Sequence, residues 1–507
     1  MKRTLKEVIA WLEAAALLKD TFCHQLSLDT VFCDITFDNR TAGKDSLFVC
    51  KGARFREEYL HKAFGSGALL YVADHTVCQT LPHLIVSDIR LAMSRLAALF
   101  FEEEAKDVYK IGITGTKGKT TVSVLLHAVL DRYCAEQYSS STALVSSLRV
   151  YDGIVDKPST LTTPEAIEFF RHLANAGRAS LPYAICEISS QALKYHRVRD
   201  VIFDLAIFLN IGTDHISEIE HPDFEDYFSS KLMIFQSAGI ACLNSGADHF
   251  DRIRAEAERA GCRVCSFGQK DDDMLQLISS RREGDYQTLT VVYQSQIECY
   301  RLPMFGQHNA ENALAVILAA KLCGIPDTVI YQGLMATQVD GRGKELVSCD
   351  GKVRVIVDYA HNQMSLEALY RYVEGEYPDY RVITLFGCPG GKAENRRQDM
   401  GRTAARHSDL VILTEDDPDT EPLEEILQTI ASFVQEEGTP YFMCSDRGKA
   451  ISMAFSHLFE KTVLLLCGKG AETTQKRQNG AEPYETDEYF ARQGIEQYDT
   501  LVLPITS

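Results

Sequence analysis

At 507 residues the chain exceeds what one hydrophobic core holds, and about 150 residues per domain suggests two to four domains. Its 45% hydrophobic and 24% charged residues match an ordinary soluble globular protein. The formal net charge of −19 argues against a general nucleic-acid binder, which needs basic surface, yet leaves room for an anionic ligand in a local pocket.

In chain order, Met1-Lys2-Arg3 is followed by Lys6, Glu7 and Glu13, which interrupt any apolar run. An amphipathic helix is expected there rather than an export signal. Nothing approaches the roughly 20 apolar residues of a membrane span, so no membrane insertion and a cytoplasmic location are expected. The first hundred residues alternate short strands (46–50, 68–72, 84–86) with helices (57–65, 89–101), a small α/β unit ending near Glu102-Glu103-Glu104. Lys110 to Thr114 reads as a strand running into Gly115-Thr116-Lys117-Gly118-Lys119-Thr120-Thr121. Apolar residues at Val122, Leu125, Leu126, Val129 and Tyr133 then mark a helix. Further strands end at Glu187 and at Asn210, Thr213, Asp214 and His215. Residues 270–300 alternate like a hairpin excursion, and helical spacing returns at 309–322. From Gly341-Arg342-Gly343 onward, apolar runs at 353–357, 382–386, 410–413 and 463–466 alternate with helices in a doubly wound pattern. Fifteen scattered cysteines suit buried thiols of a reducing compartment. The lone Cys-x-x-Cys, Cys262 and Cys265, is expected in a packed strand.

The glycine-rich turn carries the chemistry. Gly115 and Gly118 let backbone approach a ligand, and the amides opening the helix favour an anion. Lys119 would reach the outer phosphates of a nucleotide, and the Thr120 hydroxyl would ligate magnesium. The strict pattern wants glycine where Ile113 stands, with Gly112 and Gly115 flanking it. Glu187, at a strand end, is placed to help hold magnesium. His215 is ambiguous after its strand, and Lys231, taken alone, reads as a surface charge.

Phosphate turns serve hydrolases, kinases and ligases alike, and the order of the remaining motifs selects among them. The glycine-rich turn, Leu161-Thr162-Thr163-Pro164, Glu187-Ile188-Ser189-Ser190, His196-Arg197-Val198, Asn210-Ile211-x-x-Asp214-His215, His308-Asn309-x-x-Asn312, Gly341-Arg342, Asp358-Tyr359-Ala360-His361-Asn362 and Gly468-Lys469-Gly470 together resemble the Mur ligases. Within them the resemblance is to the branch adding the third residue of the peptidoglycan stem peptide.

The resemblance implies an N-terminal UDP-MurNAc-binding α/β domain (1–105), a central P-loop ATPase-like parallel-sheet domain (106–340) and a C-terminal Rossmann-like domain receiving the amino acid (341–507). It implies ATP, Mg2+, the substrate UDP-MurNAc-L-Ala-D-Glu, a free diamino acid and a monomer. Lys119 and the turn Gly115, Thr116, Lys117, Gly118, Thr120 and Thr121 would hold the ATP phosphates. Asn309, Arg342, Asp358 and His361 would line its base and ribose. Thr120, Glu187, His215 and Lys231, the last carried as a carbamate, would gather round magnesium. Asp38, Arg40, Thr162, Thr163, Ser189, Tyr195 and Arg197 fall where the family holds its UDP substrate. Asp38-Asn39-Arg40 stands in place of the usual Asp-Ser-Arg, and Tyr195 in place of a glutamine.

Family members that add diaminopimelate carry Asp-Asn-Pro-Arg, whereas this chain has Asp416-Asp417-Pro418-Asp419. Aspartate repels a carboxylate, so Asp416, Asp417, Asp419 and Glu472 suit a side-chain ammonium, with Lys392 or Arg396 on the α-carboxylate. L-lysine is expected first, ornithine second and meso-diaminopimelate third. The competing readings are a folylpolyglutamate-synthase-like ligase, opposed by Thr162, Thr163 and Arg197, and a phosphohydrolase or non-ligating nucleotide-binding protein on the same fold, opposed by Lys119, Glu187, His215 and Lys231.

Overall fold

The computed structural model describes residues 2–52, 55–213, 216, 220–391 and 394–502. They divide into two compact units, one of Met1–Ile211, Glu225–Gln276 and Ala315–Gly333, the other of Gly212–Phe224, Leu277–Leu314 and Leu334–Ser507. Among the described residues no helix is long and apolar enough to cross a membrane.

The first unit opens with helix Leu5–Ala14, closed by a capping box in which Thr4 and Glu7 satisfy each other's amides. A five-stranded sheet follows, parallel except for Leu18–Phe22, which pairs antiparallel with His83–Val86. Helices Glu57–Gly65 and Ile89–Phe101 occupy the expected residues. Central to the unit is strand Tyr109–Thr114, flanked in parallel by Tyr183–Glu187 and Phe203–Phe208. Ala238–Asn244 and Arg263–Gly268 extend the sheet in parallel. These strands are apolar almost throughout because both faces are covered.

Helix Ala166–Arg178 ties the early sheet to this later one. Its Arg171 donates to the Ile35 carbonyl at 2.8 Å and to Asp34 at 3.1 Å. Its Gly177 leaves no room for a side chain, since a Cβ there would lie 1.7 Å from the Glu104 carbonyl oxygen. Cys262 and Cys265 are buried as expected, and all fifteen cysteines are free.

The second unit holds a six-stranded sheet in which Lys344–Val347 is antiparallel to Val353–Asp358 and the other pairings are parallel. Two apolar layers sandwich it, one around Leu366, Tyr370 and Met400, the other around Ile451, Ala454 and Ala491. The excursion expected at 270–300 consists of strands Leu275–Glu283, Tyr286–Tyr293 and Gln296–Leu302, of which the last two form an antiparallel hairpin.

Candidate active site

Strand Tyr109–Thr114 runs into a turn in which Gly115 has φ +150° and Gly118 has φ +85°, backbone that side chains rarely adopt. A Cβ on Gly115 would also press on Leu209 at 3.0 Å. Helix Lys119–Tyr138 starts immediately after, so its first amides open onto the turn. The Lys119 ammonium folds back onto the carbonyls of Gly115 (2.8 Å) and Thr116 (3.2 Å). Asn210, at the end of the neighbouring strand, fixes the turn by accepting from the Lys117 amide at 2.9 Å.

Lys231 lies in helix Phe224–Leu232, and its reading as a surface charge does not survive folding: the residue is 1% exposed. Its ammonium donates to the same Gly115 carbonyl at 2.9 Å and sits 4.7 Å from the Tyr227 ring centre. The Tyr227 hydroxyl in turn donates to Thr116 at 3.1 Å. Two lysines thus converge on one carbonyl of the phosphate-type turn.

Glu187 is fully buried at its strand end. Its carboxylate accepts from the hydroxyls of Thr120, Ser123 and Ser147, each at 3.1 Å, and from the Ser147 amide at 3.1 Å. The 3.1 Å oxygen-to-oxygen spacing of Thr120 and Glu187 is that of neighbouring ligands on an octahedral ion with metal–oxygen bonds of about 2.1 Å. An all-oxygen pair at this separation fits magnesium. His215, the remaining expected metal ligand, lies outside the described residues.

Of the residues expected on the substrate side, Thr162, Thr163, Ser189 and Arg197 gather around the same strand end. The Ser147 and Thr162 hydroxyls are hydrogen-bonded at 3.1 Å, Thr163 donates to the Glu187 carbonyl at 2.8 Å, and the Ser189 amide donates to Thr163 at 3.0 Å. Arg197 donates to the Thr163 carbonyl at 3.0 Å and pairs with Glu165 at 2.9 Å. Tyr195 carries the Arg90 guanidinium over its ring at 3.8 Å. Asp38 and the exposed Arg40 pair with each other at 2.6 Å, and Arg40 holds the Asp38 carboxyl below its usual range.

The residues expected on the nucleotide's base and ribose side belong to the second unit. Asp358 accepts from the amides of Gly343 (2.7 Å) and Ala360 (2.8 Å), Arg342 lies 4.6 Å from the Tyr359 ring centre, and His361 Nδ1 is 2.6 Å from the Tyr359 carbonyl. Asn309 is buried and donates to the Phe305 carbonyl at 2.8 Å.

The acidic group of the second unit proves to contain a cation that sequence reading did not weigh. Lys469, fully buried, donates to Asp417 at 2.8 Å and to Glu472. Asp416 is buried beside them, and desolvation pushes its carboxyl up to about 6 against the pull of Arg447 and Lys469. Asp419 is exposed with φ +54°, its amide bonded to the Lys476 carbonyl at 3.0 Å. Arg396 is buried in helix Asn395–His407, and Lys392 lies outside the described residues. Ser123, Ser147, Tyr227 and Lys469 were missed because a hydroxyl in a helix or a loop, or a lysine in a glycine turn, has no spacing signature. Two of them stood in stretches already singled out, Lys469 within Gly468-Lys469-Gly470 and Tyr227 four residues before Lys231.

Comparison with known proteins agrees with this geometry. The Mur ligase middle domain matches residues 113–320, and the Mur ligase glutamate ligase domain matches residues 343–470. A UDP-N-acetylmuramoyl-L-alanyl-D-glutamate–L-lysine ligase of Enterococcus faecalis is 36% identical over 464 residues, covering 89% of each chain. The chain belongs to the Mur ligase family. A UDP-N-acetylmuramyl-tripeptide synthetase of Lactobacillus delbrueckii subsp. bulgaricus is 33% identical over 521 residues, covering 98% of this chain and all of that one. Among solved structures, the Mur ligase MurF from Acinetobacter baumannii shares the fold with a TM-score of 0.67 at 19% identity, covering 98% of this chain and 99% of that one.

Proposed function

We propose that this Mur ligase joins L-lysine to the side-chain carboxylate of the D-glutamate in UDP-MurNAc-L-Ala-D-Glu, driven by ATP through an acyl phosphate. The observation carrying the reading is the convergence of Lys119 and Lys231 on the Gly115 carbonyl, beside the buried Glu187 and Thr120. Relatives bearing the lysine-ligase and tripeptide-synthetase names match nearly end to end. The reading divides the chain into a UDP-binding domain (1–105), an ATP-binding domain (106–340) and an amino-acid-binding domain (341–507).

A carboxylate is a poor electrophile, so the reaction needs activation. A carboxylate oxygen takes the γ-phosphoryl group of ATP as the bond to the β-phosphate oxygen breaks. The lysine amine, in its neutral form, then attacks the acyl carbon. The carbon–oxygen bond to phosphate breaks, phosphate leaves and the nitrogen gives up a proton. Phosphoryl transfer requires positioning and charge neutralisation more than covalent help. The turn amides and Lys119 hold and neutralise the phosphates, while Thr163, Ser189 and Arg197 orient the acceptor. Magnesium, held by Thr120, Glu187 and His215, would offset charge on the transferring group.

Two ammonium groups on one carbonyl repel each other. Addition of the neutral Lys231 amine to carbon dioxide, with loss of one proton, converts it to a carbamate anion that attracts Lys119 and offers oxygen to a metal. In the amino-acid pocket, Asp416, Asp417, Asp419 and Glu472 supply the carboxylates a lysine or ornithine side chain needs and a diaminopimelate carboxylate opposes, with Lys469 and Lys476 already drawn to Asp417.

The test is ATP-dependent phosphate release with UDP-MurNAc-L-Ala-D-Glu and a panel of lysine, ornithine and meso-diaminopimelate. Release should require both the nucleotide substrate and an amino acid, with lysine giving the highest kcat/KM. Release with neither present would make the chain a phosphohydrolase.

A further inference from the structure

Away from the phosphate turn, the early sheet of the first unit brings three metal-ligating side chains of different chemistry together. Glu57 and His61 stand one turn apart on helix Glu57–Gly65, and Cys78 lies in the loop after strand Ala68–Ala73. One ligand atom from each, a carboxylate oxygen, an imidazole nitrogen and the thiol sulfur, lies within 4.8 Å of the other two. A glutamate four residues before a histidine is by itself an ordinary pair on a helix surface. Here a second element delivers a thiol to the same spot.

The loop that carries the thiol is clamped. Tyr71, fully buried in the strand, accepts from the amides of Val77 at 3.2 Å and Cys78 at 3.0 Å and donates to the Cys78 carbonyl at 2.9 Å. Val77 and Cys78 pack on the apolar cluster to which the helix contributes Leu60 and Ala63. Helix and loop therefore rest on one core, and the fold itself sets the distance between the imidazole and the thiol. His61 Nε2 lies 3.4 Å from Glu57 Oε1. That is the spacing of two neighbouring ligands on a tetrahedral ion with bonds of about 2.1 Å. The Thr80 hydroxyl, 3.3 Å from Cys78 Sγ, can donate to a thiolate there. The Glu57 and His61 side chains are more than half exposed, so an ion reaches them from solvent and both can rotate to close on it.

Donor chemistry selects the ion. Magnesium takes oxygen ligands, whereas thiolate, imidazole and one carboxylate suit a borderline-soft tetrahedral ion such as zinc. We propose that Glu57, His61 and Cys78 form a zinc site that ties helix Glu57–Gly65 to the loop at Cys78. The sulfur–zinc bond forms as the thiol proton leaves to solvent, and water completes the tetrahedron.

The experiment uses the full chain, stripped with a chelator and returned to excess magnesium. Calorimetric titration with zinc chloride should show one equivalent bound, and Cys78→Ser and His61→Ala should each weaken it at least about tenfold, since even an outer-shell partner contributes that much. Glu57→Gln should weaken it by a smaller factor. With cobalt in place of zinc, the parent chain should show a thiolate-to-metal charge-transfer band that Cys78→Ser lacks. Zinc should raise the melting temperature of the parent chain and leave that of Cys78→Ser unmoved. Cys349→Ser, which removes an exposed thiol of the second unit, should keep both the band and the affinity. Zinc affinity unaltered in Cys78→Ser and His61→Ala would overturn the site, as would a cobalt band that survives Cys78→Ser. Parental affinity in Glu57→Gln would overturn the three-ligand set.

Discussion

The Lys231 ammonium shares the Gly115 carbonyl with Lys119, inside a wall made by Tyr227, at 1% exposure. A lysine stem carries large rotamer entropy and a strongly hydrated head, so burying it beside a second cation has a cost that solvent-exposed placement avoids. The carbamate proposed for Lys231 would turn that unfavourable contact into an attractive one. For Lys231→Ala we expect phosphate release under ligating conditions to fall about a hundredfold or more, the range seen when one preorganised charge-stabilising group is removed. Small carboxylates such as formate or acetate should restore part of the rate by supplying the missing anion. Wild-type turnover in this variant would remove Lys231 from the mechanism. Glu187 shows the complementary case: four donors around one buried carboxylate fix its oxygens, as the metal proposed there would require.

Helix Ala166–Arg178 is the element on which the first unit's two sheets depend. Its amphipathic face buries Ile167, Phe169, Phe170 and Leu173, and Arg178 at its end pairs with Glu104 at 2.5 Å. Where Gly177 crosses the 3-10 turn Glu102–Ala105, backbone meets backbone, and a methyl group would have to displace the Glu104 carbonyl. Such overpacking typically costs about 1–3 kcal/mol. Gly177→Ala should therefore lower the melting temperature by several degrees in a thermal scan while leaving the KM for ATP close to wild type, because the phosphate turn lies on another element. An unchanged melting temperature would mean the turn yields easily. Helix 57–65 was readable from spacing, its buried Leu60 and Ala63 standing three apart, whereas helix 89–101 is buried almost continuously from Ala92 to Phe101 and was readable as a long apolar run. The start of helix Lys119–Tyr138 was readable for a different reason, the glycine in left-handed backbone immediately before it.

For the whole molecule, stability should carry the signature of Asp416. Its carboxyl has an ordinary value of 3.8 and is pushed up to about 6 in the folded chain, chiefly by burial. Between those two pH values the folded chain holds a proton that the unfolded chain has released, so the contribution favours folding at acid pH and is lost as pH rises through about 6. Asp416→Asn cannot make that titration. The melting-temperature difference between the variant and wild type should therefore shift in the variant's favour as pH increases from about 4 to above 6, and then level off. A difference independent of pH would contradict the buried, titrating carboxyl. The sequence by itself determined the alternation of strands and helices, the phosphate turn and the order of the family motifs, since periodicity and glycine spacing are local and survive without neighbours. It could not determine that Lys231 is buried against the turn, that Lys469 already occupies the acidic group at Asp417 and Glu472, or that Lys51 and Arg197 meet on Glu165. Apart from Lys469 and Glu472, which are three positions apart, those facts join residues tens to more than a hundred positions apart. Charge says what a side chain can pair with, and only tertiary packing decides which partner comes within reach and how much water is left between them.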